Sequence, residues 1–265
     1  PATTQPMFKV GAFSNVGRPE VHANEDRASV ILDLLGKYPP PGETYHGDTN
    51  HMVSFFGVYD GHGGSKTSEW LRQNLHVEIA KRLYLNNTHK HLPQALISTF
   101  EEVEAGPCAG FVPGSCCTTV LVKGNRLYCA TAGDSLAVIY GPDKKTFTKL
   151  NDRHGVETSP QEAARVRKAN AVIDEKGALV ARGDGELKPT KVLYPSRGFG
   201  DADFKEQVEP NKIIIATPTG VGVGYEGPAF ELTGAGPYWL LVGCDGLWDF
   251  MKETQVTEAM FAKGE

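Results

Sequence analysis

Residues 52–64 read MVSFFGVYDGHGG, an apolar run that ends in a glycine-rich corner. Eight mostly apolar residues in a row are typical of a strand that is buried on both faces. Asp60 follows this run, so the sheet should hold its backbone while its carboxylate points out of the sheet's end. Gly61 has no side chain and would let a metal ion or a phosphate approach the backbone closely.

A second apolar run, YWLLVGC at residues 238–244, also leads into Asp-Gly. Two strands that end alike predict one shared site, to which other acidic residues could contribute. Those other candidates are Glu25, Asp26, Asp134 and Asp249. The alternative is that each Asp-Gly pair is only a turn. Crowded carboxylates repel one another unless a cation joins them, which favours the shared site.

The predicted site is rich in oxygen ligands and has no clustered His or Cys. Such ligands select hard ions, so the sequence favours Mg²⁺ or Mn²⁺ over Zn²⁺. One aspartate bridging two such ions, about 3.5–4 Å apart, would activate a water molecule for in-line attack on phosphorus.

Helices are indicated where apolar residues recur every three or four positions. We expect a long amphipathic helix over residues 65–85 and a second one that has Pro93 in its first turn. Ser159-Pro160-Gln161-Glu162 is a capping box with proline at the first helical position, which predicts a helix to about Asn170. Residues 254–263 have the pattern of a last helix.

Strand signals come in short runs along the whole chain, many of them joined by tight turns. The expected strands cover residues 8–13, 27–34, 52–59, 116–123, 126–131, 136–140, 145–150, 213–216 and 238–242. Residues 177–203 have no clear period and are expected to be irregular. With no repeat or linker, residues 1–265 should form a single domain. The pattern predicts an α+β fold of stacked antiparallel sheets with helices outside.

The composition and charge of the chain limit the kinds of binding partner that are expected. Hydrophobic residues make up 40% of the chain, and 27 basic against 32 acidic residues give a net charge of −5. Neither a nucleic acid nor a membrane is expected as a partner, because charge is not clustered and no apolar run approaches the roughly 20 residues of a membrane helix. The five cysteines form no CxxC pair and are expected to be buried thiols in a reducing compartment, the cytoplasm or the nucleus.

Five motifs appear in a fixed order, and together they resemble the protein phosphatase 2C family of metal-dependent serine/threonine phosphatases. The motifs are Asn24-Glu25-Asp26-Arg27, Val58-Tyr59-Asp60-Gly61-His62-Gly63-Gly64, Ala132-Gly133-Asp134-Ser135, Ser196-Arg197-Gly198-Phe199-Gly200-Asp201 and Cys244-Asp245-Gly246-Leu247-Trp248-Asp249. Each motif alone is weak evidence, but five in order at plausible spacings are specific. The resemblance spans residues 10–251.

The resemblance implies a sandwich of two antiparallel sheets with α-helices on both outer faces, and it implies phosphorylated proteins as substrates. Asp60 would bridge two Mg²⁺ or Mn²⁺ ions, with the carbonyl of Gly61 on one ion and Asp245 on the other. Glu25 and Asp26 would hold metal-bound waters. Asp134 and Asp249 would form a third metal site together with Asp245.

The resemblance also assigns residues outside the metal ligands. His62 matches the histidine proposed as general acid toward the leaving oxygen; the alternative is that it only packs beside its turn. Asp201 and the irregular residues 177–203 would correspond to the flap beside the catalytic cleft. Arg197 is expected to pin the flap rather than to bind phosphate, and Trp248 to belong to the core.

Three positions depart from the family pattern. Val21 stands where the family usually has a phosphate-binding arginine. Arg18 and His22 are the nearby candidates for that role, and the alternative is that both are ordinary solvated residues. Leu136 stands where the motif usually has arginine, which should cost only a surface ion pair.

The third departure is that no Asp-Asn pair follows Asp249. In the family this pair precedes the last strand, and its aspartate is a metal ligand. We therefore expect the phosphatase domain to lack its C-terminal strand segment, which a separate C-terminal peptide could supply.

Three hypotheses for function follow from the sequence. The first is a phosphatase that hydrolyses phosphoserine and phosphothreonine with a water bridging two metal ions. The second is a catalytically weak, phosphatase-like binding module, suggested by Val21 and the missing last ligand. The third is a structural scaffold whose Asp-Gly pairs are only turns. Retention of the acidic residues and of His62 favours the first.

Overall fold

The structure is a computed structural model that describes residues 8–15, 23–39, 52–85, 91–181, 191–208, 213–224, 226–234 and 236–262. The strands are β1 (Arg27–Ile31), β2 (Val53–His62), β3 (Gly114–Lys123), β4 (Arg126–Ala132), β5 (Leu136–Tyr140), β6 (Phe147–Lys149), β7 (Leu179–Ala181), β8 (Lys191–Leu193), β9 (Phe199–Gly200), β10 (Phe230–Glu231) and β11 (Trp239–Gly243). The helices are α1 (Leu34–Lys37), α2 (Lys66–Leu85), α3 (Leu92–Ala105), α4 (Pro160–Lys168), α5 (Ala202–Val208), α6 (Asp245–Trp248) and α7 (Glu253–Phe261).

The larger sheet has the strand order β1-β2-β3-β4-β10, with β9 paired to the start of β3. All of these pairings are antiparallel. The ladder between β2 and β3 is the longest and runs from the pair Val53 and Lys123 to the pair His62 and Gly114. This ladder fixes the end of β2, where the motif residues stand.

Strand β3 shows how the layers form, because successive side chains of a strand point to opposite faces of the sheet. Cys117 and Leu121 are buried with the apolar faces of α2 and α3. Val120 and Val122 are buried on the other face, in a cluster that includes Ile139 of β5. A strand buried on both faces reads as a continuous apolar run, as β3 does.

The smaller sheet has the order β11-β5-β6 and packs against the larger one. Alternation in β5 sends Ala137 and Ile139 to the cluster between the sheets. Its other face carries Val138 and Tyr140, which pack with Val256 of α7. The molecule is therefore an α-β-β-α sandwich of two antiparallel sheets with helices on both outer faces, and the expected α+β fold is confirmed.

Two expected strands are wrong. Residues 8–13 form no strand; Phe8 packs against the ring of Phe56, while Phe13 is 90% exposed. Residues 213–216 are mostly buried but irregular, with a single bridge from Ile215 to Arg197. Apolar residues in a row indicate burial, but they do not show whether a neighbouring strand is present to pair with.

Three further details differ from expectation. Strand β2 extends through Asp60 and Gly61 to His62, so the motif residues lie in the strand rather than after it. The region 177–203 is not wholly irregular, since β7 pairs with β8. The capping box of α4 is half formed: the Ser159 hydroxyl accepts from the Glu162 N–H at 3.3 Å, but the Glu162 carboxylate binds elsewhere.

Strand β11 lies at the edge of its sheet. Within the described residues it pairs only with β5, and all five of its residues are half-buried. A groove of about 2030 Å³ runs along it and is lined also by residues of β1, β2 and the 8–15 segment. The expectation of a further C-terminal strand or peptide here stays a prediction. None of the described helices has the length and apolar character to cross a membrane.

Candidate metal centre

The end of β2 positions three of the predicted site residues. In the ladder with β3, Asp60 pairs with Cys116 and His62 pairs with Gly114. Because side chains alternate along a strand, Asp60 and His62 project from the same face. On the other side of β2, Arg27 of β1 pairs with Tyr59, which brings Asp26 alongside Asp60.

Four of the predicted acidic residues converge into two groups that share Asp60, and Cys244 joins one of them. In the first, the Asp26 group, ligand atoms of Asp26, Asp60 and Cys244 lie within 4.8 Å of one another. In the second, the Asp134 group, those of Asp60, Asp134 and Asp245 lie within 4.8 Å of one another. Asp134 follows β4 and Asp245 follows β11, so strand ends of both sheets supply the carboxylates.

Electrostatics at the centre favour a cation. Burial raises the pKa of Asp60 above its ordinary value, and the charges of Asp245, Asp26 and Asp134 raise it further. Burial and the charge of Asp134 likewise raise the pKa of Asp245. Gathering these groups therefore costs free energy unless a cation neutralises them. The donors are mainly carboxylate oxygens, which suit Mg²⁺ or Mn²⁺.

Gly61 lies against the segment that precedes β1. A Cβ at this position would lie 2.5 Å from the backbone oxygen of Glu25 and 2.8 Å from Ser68 Oγ. The Ser68 hydroxyl, on α2, donates to that same Glu25 oxygen at 2.5 Å. Only glycine allows this approach, which holds the Glu25–Asp26 segment against the end of β2. The Glu25 carboxylate lies outside both groups, and its role in holding metal-bound water stays a prediction.

Asp249 lies outside both groups as well. Its Oδ1 accepts a hydrogen bond from Arg153 Nη2 at 2.7 Å, and Arg153 Nε also donates to the backbone oxygen of Asp134. Asp249 is close enough that its charge raises the pKa of Asp245. The third metal site stays a prediction, with Asp249 paired to Arg153 beside it.

Two thiols lie at the centre, which sequence reasoning missed. Cys244 Sγ donates to Asp26 Oδ2 at 3.4 Å, and Cys116 Sγ donates to Asp134 Oδ1 at 3.2 Å. Burial, with the nearby carboxylates, raises the pKa of Cys244 to about 12. All five cysteines are free thiols, and four are buried as expected. The contact of Cys116 with Asp134 follows from the register of β3 against β4, which the sequence does not display.

His62 forms an ion pair with Asp201. Its Nε2 lies 3.0 Å from Asp201 Oδ1 and 3.1 Å from Oδ2. Burial alone would lower the pKa of His62, but the hydrogen bond and charge of Asp201 outweigh burial, and the pKa is raised. A Cβ at Gly114 would lie within 2.2 Å of both side chains, so glycine is required beneath this pair. From the sequence, Asp201 was expected in the flap, and its contact with His62 was not predicted.

The predicted phosphate-binding residues Arg18 and His22, and Val21, lie outside the described residues. Arg197 is 5% exposed, and it donates to Glu162 Oε1 at 2.5 Å and to the Thr217 carbonyl at 2.6 Å. It therefore ties the region before Asp201 to α4, and the role of this region as a flap beside the cleft stays a prediction. Trp248 is buried, as expected, and donates to the Leu136 carbonyl at 3.0 Å.

Fold and site together define an α-β-β-α sandwich protein whose sheets meet at a carboxylate-rich centre suited to hard divalent ions. The family model described as Protein phosphatase 2C matches residues 19–260, and the chain belongs to that family.

Curated relatives agree with this assignment. Protein phosphatase 2C homolog 2 of Aspergillus flavus is 29% identical over 239 residues, which is 88% of this chain and 50% of the relative. Protein phosphatase 2C homolog 3 of Schizosaccharomyces pombe is 30% identical over 210 residues, 78% of this chain and 46% of the relative. The chain thus spans about half the length of these relatives.

Two solved structures share the fold. A serine-threonine phosphatase 2C from Toxoplasma gondii matches with a TM-score of 0.59 at 19% identity, covering 89% of this chain and 83% of that one. A C. elegans sex determining protein matches with a TM-score of 0.62 at 21% identity, covering 91% of this chain and 53% of that one. At such identities the likeness shows the fold alone.

Proposed function

We propose that this protein is a metal-dependent phosphatase that hydrolyses phosphoserine and phosphothreonine in proteins. The observation that carries the proposal is that the Asp26 group and the Asp134 group share Asp60. Membership of the protein phosphatase 2C family supports it. Phosphorylated proteins are the proposed substrates, and the cytoplasm or the nucleus is the proposed location.

The carboxylates would hold two divalent ions, Mg²⁺ or Mn²⁺, with Asp60 common to both. When bound, such ions lower the pKa of a water molecule that they share and offset charge on the phosphoryl oxygens. Asp26 in one group and Asp245 in the other are the further carboxylates that would hold these ions. Asp134 and Asp249 are the proposed ligands of a third, weaker site.

His62 is proposed as the general acid. Asp201 engages its Nε2, which leaves Nδ1 as the ring nitrogen that can transfer a proton to the leaving serine or threonine oxygen. The buried carboxylate of Asp201 orients the ring and favours the protonated form that a general acid needs.

The test is phosphate release from phosphoserine and phosphothreonine peptides by protein stripped with EDTA. We expect no release without metal and restored release with Mn²⁺ or Mg²⁺. Asp60→Asn should cost several orders of magnitude in rate, because it removes the charge common to both groups. Glu175→Gln, in an exposed turn, is the matched control and should behave as wild type.

Two outcomes would contradict the proposal. Near-normal turnover by Asp60→Asn would rule out a centre built on Asp60. A folded wild-type chain that binds Mn²⁺ but releases no phosphate would support the binding-module alternative instead.

A further inference from the structure

One short segment, the 151–154 loop between β6 and α4, holds the backbone of the turn that carries Asp134. Asn151, which is 2% exposed, accepts from the Ala137 N–H at 2.9 Å and donates to the Ser135 carbonyl at 3.0 Å. Arg153 Nε donates to the carbonyl of Asp134 itself. The segment of residues 133–137, here named the Asp134 turn, thus receives several of its hydrogen bonds from side chains of this loop.

His154 holds the first residue of the Asp134 turn at both of its backbone groups. Its own N–H donates to the Gly133 carbonyl at 2.9 Å, and its ring Nδ1 accepts from the Gly133 N–H at 3.2 Å. Gly133 has φ +131°, and a Cβ there would lie 2.4 Å from Cys116. The backbone that leads into Asp134 is therefore confined on one side by β3 and on the other by His154.

The His154 ring also forms a chain of hydrogen bonds that leads away from the centre. Because Nδ1 accepts from a backbone N–H, the ring proton must be on Nε2. Nε2 lies 2.7 Å from Thr219 Oγ1 and donates to it. The Thr219 hydroxyl then donates to Glu226, whose other oxygen accepts from the Asp152 N–H at 2.9 Å. The Gly133 N–H thus fixes the tautomer of His154, and Thr219 and Glu226 continue the chain of acceptors beyond Nε2.

We propose that His154 is a positioning residue for the metal centre, acting through the Gly133 backbone to place the Asp134 carboxylate beside Asp60 and Asp245. This inference rests on the proposed function only in that it takes Asp134 to be a ligand of the divalent ions. His154 is fully buried, and its ring bonds to Gly133 and Thr219 rather than to a carboxylate of the centre. Residues that orient metal ligands in this way typically contribute about 10- to 100-fold to metal affinity.

Two substitutions separate the two hydrogen bonds of the ring. Asparagine places its amide oxygen where histidine has Nδ1, so His154→Asn keeps an acceptor for Gly133 and loses the contact with Thr219. Glutamine reaches the position of Nε2, so His154→Gln keeps a partner for Thr219 and loses the acceptor for Gly133. Thr219→Val is a third variant, which removes the partner of Nε2 from the other side, nearly preserves shape and leaves the bond from Gly133 to Nδ1 in place.

The measurement is direct Mn²⁺ binding to the metal-stripped chain without substrate, by calorimetry or by the loss of the free-ion paramagnetic resonance signal. His154→Gln should weaken Mn²⁺ binding about tenfold or more, while His154→Asn should stay within about threefold of wild type. Thr219→Val should, like His154→Asn, stay within about threefold of wild type, because both variants keep an acceptor for the Gly133 N–H. Thermal unfolding without metal provides the measure of plain structural damage.

Two results would overturn the proposal. One is wild-type Mn²⁺ affinity in His154→Gln. The other is equal loss in His154→Gln and His154→Asn that follows their loss of thermal stability, which would make His154 an ordinary core residue. Failure of the proposed function is a separate outcome, since wild-type protein would then bind Mn²⁺ without releasing phosphate, and the comparison of affinities would still stand.

Discussion

At Gly61 a single missing methyl group decides how closely two segments approach. A Cβ there would lie 2.5 Å from the Glu25 carbonyl, so Gly61→Ala should push the Glu25–Asp26 segment away from β2. We expect a stability loss of about 1–3 kcal/mol, as for other overpacked sites, together with weaker Mn²⁺ binding. The matched control is Gly110→Ala, since a Cβ at Gly110 meets no atom within 4 Å. Equal effects of the two variants in urea denaturation and Mn²⁺ titration would contradict this view of Gly61.

His62 offers a test of leaving-group chemistry. If it donates the proton, His62→Gln should slow a phosphoserine peptide by about 10²–10⁴-fold and an activated aryl phosphate much less, because the aryl leaving group needs little protonation. Asp201→Asn should give the same selective loss on a smaller scale, since it removes the charge that raises the pKa of His62. The check is kcat on both substrates. Equal losses on the two substrates would return His62 to a packing role.

The residues of the centre differ in how far the sequence reveals them. Asp60, Asp134 and Asp245 could be predicted, because each stands at the end of an apolar run or beside a glycine, and the structure brings them together. Cys116 could not, because its contact with Asp134 depends on the register of β3 against β4. His154 lies about twenty residues from Gly133 in a segment without a motif, so nothing in the sequence pointed to their hydrogen bond.

At the scale of secondary-structure elements, the buried carboxylate of Glu162 attaches α4 to the segment that contains Ser196 and Arg197. Glu162 is 1% exposed and binds Arg197 Nη2 at 2.5 Å and Arg165 Nη2 at 2.8 Å. Burial would raise the pKa of Glu162, but the two guanidinium groups lower it to about 2. A carboxylate whose folded pKa is depressed contributes stability above its unfolded pKa and loses that contribution as pH falls through the folded value.

The corresponding prediction concerns Glu162→Gln. It should lower the free energy of unfolding at pH 7 by roughly 3 kcal/mol or more, and the difference from wild type should narrow by roughly 2 kcal/mol on going to pH 3. Urea denaturation at the two pH values measures this, with Glu175→Gln in an exposed turn as control. A difference that does not change with pH would mean that packing, not charge, accounts for the loss.

The contacts of Glu162 also show that the presence of a helix is easier to predict from sequence than the partners of its side chains. Sequence reasoning paired Glu162 with Ser159 as a local cap. Its carboxylate instead binds Arg165, one turn along α4, and the tertiary partners Arg197 and Ser196. The two long helices were predictable because their apolar period repeats over several turns. The run at residues 213–216 was not, since burial of irregular chain and burial of a strand leave the same apolar pattern.

At the scale of the whole molecule, the two sheets depend on each other through the centre. The larger sheet supplies Asp60, and Asp245 follows β11 of the smaller sheet. Carboxylates from both layers therefore repel one another across the line where the sheets meet. A divalent ion bound there would join the layers, so metal binding and global stability should be linked.

Mn²⁺ at about 100 times its dissociation constant should stabilise the wild-type chain by about 2.7 kcal/mol, a rise in Tm of roughly 5–10 °C. Asp60→Asn should differ from wild type both without and with metal. Without metal its Tm should exceed that of wild type, because burial and three carboxylates raise the pKa of Asp60 and make its charged form costly. Adding metal should hardly change its Tm, because the neutral amide that replaces the Asp60 carboxylate binds the ions more weakly. Calorimetric scans at pH 7.5 with EDTA or with Mn²⁺ measure all four values. The same metal-induced rise in both proteins would mean that the stabilising ion binds away from Asp60, even if phosphate release were lost.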